Sequence, residues 1–300
     1  MKHHLPKENH IFKFTAEAEP ALRINPGDTV VVETMDCFSN QIQTADDKLE
    51  QVSFDHVNPA TGPIFVEGAE KGDALKVTIE KIEVGNQAVM LTGKGLGVLG
   101  HKLEGMTFKL LPVVGETVIF DDHTTLPLQP MVGVIGVAPE GEGINCGTPD
   151  AHGGNMDTKL IKAGAEVYLP VSVEGGLLAL GDLHAAMGDG EVSVSGAEVP
   201  GEVTITVSLV KDLMLPTPVV INNGVLAVIF SKESLDDAVA GAVEIMEEIV
   251  RERTELSTAE IVMLISVAGE VAISQVVDPL KTARCEMPLA VLGNYGFKLY

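Results

Sequence analysis

Up to about Leu209 the chain is written in short runs of alternating apolar and polar residues, each closed by a glycine or proline turn. Thr29–Glu33 (TVVVE) follows the turn Asn25-Pro26-Gly27-Asp28. After Lys71-Gly72-Asp73, the residues Leu75, Val77 and Ile79 alternate with Lys76, Thr78 and Glu80. Val167, Leu169, Val171 and Val173 repeat the pattern behind Ala163-Gly164, and Val203, Ile205, Val207 and Leu209 form a fourth run. A period of two turns every apolar side chain to one face of an extended segment, the pattern of a half-buried strand. Many such strands with short turns predict a β-sandwich or barrel-like body rather than a doubly wound sheet. The runs keep no strict spacing, so they do not form a sequence repeat.

After Lys211 the period changes. Leu226–Phe230 (LAVIF) reads as a buried strand, and Ser234 with Asp236 and Asp237 caps a helix carrying Ala242, Val243, Met246, Ile249 and Val250 on one face. Ser257 and Glu260 form a capping box for a second helix with Ile261, Leu264, Ile265 and Ala268. Another strand is expected at Leu289–Leu292. The expected fold is mixed β-rich plus α/β: a β-sandwich or barrel-like body over residues 1–210, and an α/β C-terminal portion over 211–300 carrying two helices.

Charge narrows the partners. With 43 Asp and Glu against 20 Lys and Arg, the formal net charge is −23. Such a chain repels nucleic acid and anionic membrane, and with no tryptophan it has few stacking platforms for bases. The longest apolar stretch, Ile261–Val267, is far too short to span a bilayer. MKHHLPKENH has no apolar run behind it, so no export leader is expected. Cys37, Cys146 and Cys285 are odd in number and widely spaced, which points to a reducing cytoplasm rather than a disulfide framework.

Three loops concentrate reactive side chains. Gly181–Glu191 (GDLHAAMGDGE) sets Asp182 and His184 two residues apart, on one face of an extended segment, where they can begin a zinc-type site. Read alone, the same residues also make an acidic glycine-rich turn. Asp36 stands at the end of a strand, where ligands and capping aspartates both occur. Glu140–Asp157 (EGEGINCGTPDAHGGNMD) offers His152, Asn155 and Asp157 among glycines, a combination suited to an oxyanion or a substrate carbonyl. Glu198 is placed either as a base beside a metal site or at a solvent-facing strand end. The glycines match no phosphate-binding loop and no G-x-S-x-G elbow is present.

Taken together, Gly181–Glu191 with Glu198, His152-Gly153-Gly154-Asn155-x-Asp157 and Asp36 resemble the acetamidase/formamidase family over nearly the whole chain, from Pro26-Gly27-Asp28 to Asp278-Pro279. The family pattern has glycine where Leu183 stands and glutamine where Met187 stands, departures that bear on the shape and polarity of a substrate pocket. The resemblance implies hydrolysis of small aliphatic amides, of the formamide and acetamide class, to carboxylate and ammonia. It also implies association as homodimers or larger homo-oligomers. On that reading Asp36, Asp182 and His184 are expected to bind a divalent metal, Zn²⁺ first and Ca²⁺ second, with His152 or Asp157 as alternative ligands. Glu198 is then the general base and acid, while His152, Asn155 and Asp157 orient the amide.

Two other readings compete. Cys146, near His152 in sequence, is a candidate thiolate nucleophile for the same hydrolysis. Acidic loops also suit a non-catalytic binding protein stabilised by calcium.

Overall fold

A computed structural model describes residues 1–300. Two large sheets dominate it. The first has nine strands in the order Lys2–Leu5, Asp28–Thr34, Gly201–Val210, Ala74–Val84, Glu166–Pro170, Val219–Asn222, Val225–Lys232, Lys281–Pro288 and Glu270–Gln275. The second has eleven, and its centre is the strand Leu178–His184, flanked by Met131–Gly136, Glu198–Val199 and Ala60–Val66.

The alternation in the sequence is the alternation of burial. Along Asp28–Thr34 every second residue is buried. Val30, Val77, Val203 and Ile205 of the first sheet share one core with Val132, Ile135, Leu180 and Leu183 of the second. This is the sandwich expected of strands with one apolar face. Leu178–His184 and Met131–Gly136 are instead buried along their whole length, since both of their faces are covered. Polar residues on such strands have no face turned to water.

The C-terminal residues add a third layer. Helix α1 (Leu235–Arg251) is capped by Ser234, whose hydroxyl accepts from the Asp237 amide, and α2 (Thr258–Ala268) opens with the Ser257–Glu260 capping box. Each cap is worth about 1 kcal/mol. Ala242, Met246, Ile249 and Ile261 pack with Val228, Cys285 and Met287 on the face of the first sheet turned away from the second. Beyond residue 211, Val219–Asn222 continues that sheet by pairing with Glu166–Pro170, and Val225–Lys232 pairs with Val219–Asn222 in turn.

Two local expectations change. Leu289–Leu292 is not a strand but the start of a short helix, α3 (Leu289–Gly293), because the strand before it runs on to Pro288, which takes the N-cap position. Glu140–Asp157 is not wholly irregular: Gly153–Asn155 pairs with Val134–Gly136. Gly153 and Gly154 have φ of 98° and 84°, so this strand is built from residues that local propensity would never assign to one.

Candidate active site

The site lies at the centre of the second sheet. His184 ends the strand Leu178–His184, and Glu198 sits directly opposite it across the ladder. Asp182 lies two residues before His184, as the spacing suggests, but with φ of 55°. Asp157 and Glu191 enter from the segments on either side, at φ of 44° and 45°. Three acids in the left-handed region, where non-glycine residues are strained, mark backbone held against its preference around one point.

All the carboxylates converge on one imidazole. His184 Nε2 lies 3.1 Å from Glu198 Oε2, 3.5 Å from Asp182 Oδ1, 3.6 Å from Asp157 Oδ1 and 4.0 Å from Glu191 Oε1. Every one of these side chains is buried, and His184 and Asp157 are 0 % exposed. The backbone makes room for them with glycine. A Cβ on Gly196 would stand 2.5 Å from His184 Nδ1, and one on Gly133 would stand 2.5 Å from Asp157 Oδ1 and 2.6 Å from Asp182 Oδ2.

The electrostatics follow from burial. Loss of water pushes Glu198 up to about 8, with Asp182 adding to the effect and His184 opposing it. Burial likewise raises Asp157 to about 6 and Glu191 well above the usual carboxylate range, the latter reinforced by Asp157. Asp182 is also desolvated, yet the charge of His184 holds it below its ordinary value. Burial by itself would lower His184, but Glu198 and Asp182 together raise it well above the ordinary histidine range. His152 has only the weak pull of Asp150, so burial takes it down to about 4 and leaves the ring neutral at pH 7.

Several buried polar atoms here have no hydrogen-bond partner: both Asp157 oxygens, Asp182 Oδ1, His184 Nε2, Glu198 Oε2, Asn155 Oδ1 and both His152 ring nitrogens. Such atoms are costly unless something satisfies them. Ligand atoms of Asp157, His184 and Glu191 fall within 4.8 Å of one another, as do those of Cys37, Asp182 and Glu198. Carboxylate, imidazole and thiol donors at this density fit a divalent cation, which also offsets the buried negative charge.

The other expected residues fall close by in different roles. Asn155 donates from Nδ2 to Asp278 Oδ2 at 3.0 Å. His152 packs edge-on against Phe14, with ring centroids 5.1 Å apart. Asp36 is outside both cation-sized groups: its Oδ1 accepts the Phe38 and Asn40 amides at 3.0 and 2.8 Å, and it borders a separate cavity of about 140 Å³. Burial nonetheless raises it to about 6. Its neighbour Cys37 stands in one of those groups instead, with Asp182 and Glu198. Glu191, Cys37 and Asp278 carried no assigned role in the sequence reading, although Glu191 closes the Gly181–Glu191 stretch and Asp278 precedes the conspicuous Pro279.

Cys146 is not placed as a nucleophile. It packs among Phe14, Ala60, Val134 and Ala179, its thiol donates to the Ile11 carbonyl at 3.5 Å, and burial pushes it up to about 12. A thiol in that setting is a core residue.

Beside the cluster opens a cavity of about 370 Å³. Met187, Glu191 and Gly196 line it, and each also borders His184, with Met187 Sδ 3.3 Å from His184 Nδ1.

Comparison with known proteins agrees with this architecture. The chain superposes on the crystal structure of a recombinant predicted acetamidase/formamidase from Thermoanaerobacter tengcongensis with a TM-score of 0.98, at 57% identity and 99% coverage of both chains. An acetamidase from Bacillus halodurans gives a TM-score of 0.96 at 49% identity, covering 98% of this chain and 99% of that one. A formamidase from Methylophilus methylotrophus is 31% identical over 253 residues, 63% of this chain and 61% of that protein. The matched stretch thus spans about three fifths of that curated formamidase, and 63% of a putative formamidase from Schizosaccharomyces pombe. The Acetamidase/Formamidase family profile itself matches residues 4–145 and 138–283. Because those matches run through both sheets and take in every residue of the buried cluster, the chain belongs to the acetamidase/formamidase family.

Proposed function

We propose that the chain is an amidohydrolase that cleaves the C–N bond of small aliphatic amides, adding water and yielding a carboxylate and ammonia. The observation that carries this reading is the convergence of four buried carboxylates on His184 Nε2, with most of their facing atoms unpartnered. A divalent metal would be held by Asp157, Asp182, His184 and Glu191, with Cys37 at the edge, and when bound would supply an acidified water and a Lewis acid. Zn²⁺ suits the mixed donors best, and Ca²⁺ suits the carboxylates.

The chain's own residues do the rest. Glu198, poised near neutrality, takes the proton of the attacking water at Oε2 and returns it to the departing nitrogen. The amide nitrogen is a poor leaving group until it is protonated, so this return is the step that most needs a fixed carboxyl. Neutral His152 donates a ring N–H toward the amide oxygen. Asn155 accepts from the amide NH₂ at Oδ1 and fixes its plane. Closure of the cluster from bulk water strengthens each of these interactions.

The same reading places the protein in a reducing cytoplasm as a homodimer. Three free, buried cysteines support the compartment. The exposed Val262, Met263 and Val267 of α2, beside Val271 and Ile273 of the sheet edge, offer a surface for self-association. No helix is long and apolar enough to cross a membrane.

Ammonia release from formamide and acetamide, compared between the native chain and His184→Ala, tests the proposal. Release that is lost together with bound metal in the variant supports it. Full metal content and a native rate in His184→Ala refute it.

A further inference from the structure

The cavity beside His184 is larger and more apolar than acetamide requires. By the ~30 Å³ that one water occupies in the liquid, acetamide with its four heavy atoms fills on the order of 100 Å³. The cavity measures about 370 Å³. Gln129, Asp189, Ser193 and Ser195 line it with polar groups, and its apolar wall is made by Met90, Leu111, Leu126, Pro127 and Val192. These come from the strands Gln87–Thr92 and Thr107–Val114, from the hairpin strand Thr124–Pro127, and from the loop that follows His184. The end nearest His184 is closed by Met187, Glu191 and Gly196.

The cavity is asymmetric: the loop after His184 lines it with Asp189, Glu191, Ser193 and Ser195, while the strands opposite supply the thioether and aliphatic carbon of Met90, Leu111, Leu126 and Pro127. A primary amide with an apolar tail has the same asymmetry. Met187 reinforces it, since its sulfur contacts His184 where an amide side chain would instead offer a polar wall.

We infer that the site prefers primary amides whose acyl chain is longer than acetyl, on the order of four to six carbons, with the tail lying along Met90, Leu111 and Leu126. The inference rests on the amidohydrolase reading and sharpens its substrate class. The head group, water and products are unchanged: the C–N bond breaks, the acyl carbon gains the water oxygen, and nitrogen leaves as ammonia. Each methylene that moves from water into such a cavity contributes roughly fourfold in transition-state binding.

The test is kcat/KM for ammonia release from formamide, acetamide, butyramide and hexanamide by the metal-loaded enzyme. The expected result is a rise with chain length, hexanamide exceeding acetamide by at least roughly tenfold. Leu126→Trp, at a partly exposed position, fills the tail end of the cavity and is expected to cut the hexanamide-to-acetamide ratio to a third or less. Acetamide or formamide cleaved as well as hexanamide overturns the chain-length inference and leaves the amidohydrolase standing. A ratio indifferent to Leu126→Trp also overturns it. Ammonia from none of the amides overturns both.

Discussion

Glu198 and His184 are register partners on adjacent strands, and their side chains meet with Oε2 and Nε2 3.1 Å apart. The contact is set by the sheet ladder rather than by a flexible loop, so the acid is held where its proton is needed. Glu198→Gln keeps the shape and removes the ionisable group. It is expected to lower kcat by about 10²–10⁴-fold while the fold is retained. A rate within twofold of native would assign the proton transfer to another residue.

Glycine at positions 133 and 196 is a requirement of the site and not of the backbone, since neither has a positive φ. Gly196→Ala would drive a methyl to 2.5 Å from the His184 ring, which is fully buried. Overpacking of this kind costs about 1–3 kcal/mol. Thermal unfolding should show that loss together with weakened metal binding. Gly105→Ala, with nothing within 4 Å of the added carbon, should show neither.

Arg284 holds the loop that carries Glu191. Its two guanidinium nitrogens donate to both Asp189 oxygens at 3.0 and 2.9 Å, and the loop is further tied by the Gly190 amide to the Ser274 carbonyl. Arg284 is 5 % exposed, but Asp189 is about a third open to water, which discounts the pair. Arg284→Lys cannot keep the fork and is expected to cost about 2 kcal/mol. Hydrogen exchange should become faster across residues 186–194 in particular. Unchanged protection there would show that the loop stands without Arg284.

Cys146→Ala should leave amide hydrolysis near native and lose about 1–3 kcal/mol of stability to the cavity it creates. Alkylating reagents should leave Cys146 of the folded chain unmodified, since its thiol is buried and pushed up to about 12. Inactivation that tracks modification of Cys146 would restore the thiolate mechanism.

The sequence made the body of the fold legible where one face is apolar, as at Asp28–Thr34 and Gly201–Val210, because period-two burial leaves a direct trace. It was opaque where pairing owes nothing to side chains. Gly153–Asn155 joins the sheet through positive-φ glycines, and Leu289 turns helical only because the preceding strand runs to Pro288. Within the site, Asp182 and His184 were legible from their spacing, and His152, Asn155 and Asp157 from their loop. Glu191 was harder to find, because it reaches the cluster through a left-handed backbone that no periodicity describes. Cys37, grouped in space with Asp182 and Glu198, was masked by Asp36, the more familiar ligand type beside it. Asp36 turned out to be engaged by two amides of its own turn.

The carboxylates around His184 are proposed to hold a divalent cation on which amide hydrolysis depends. The most direct measurement is ammonia release by the purified chain before chelation, after chelation, and after Zn²⁺ is restored. Activity should disappear with the metal and return with it, in proportion to the metal bound. Hydrolysis that continues at full rate in metal-free protein would contradict the proposal.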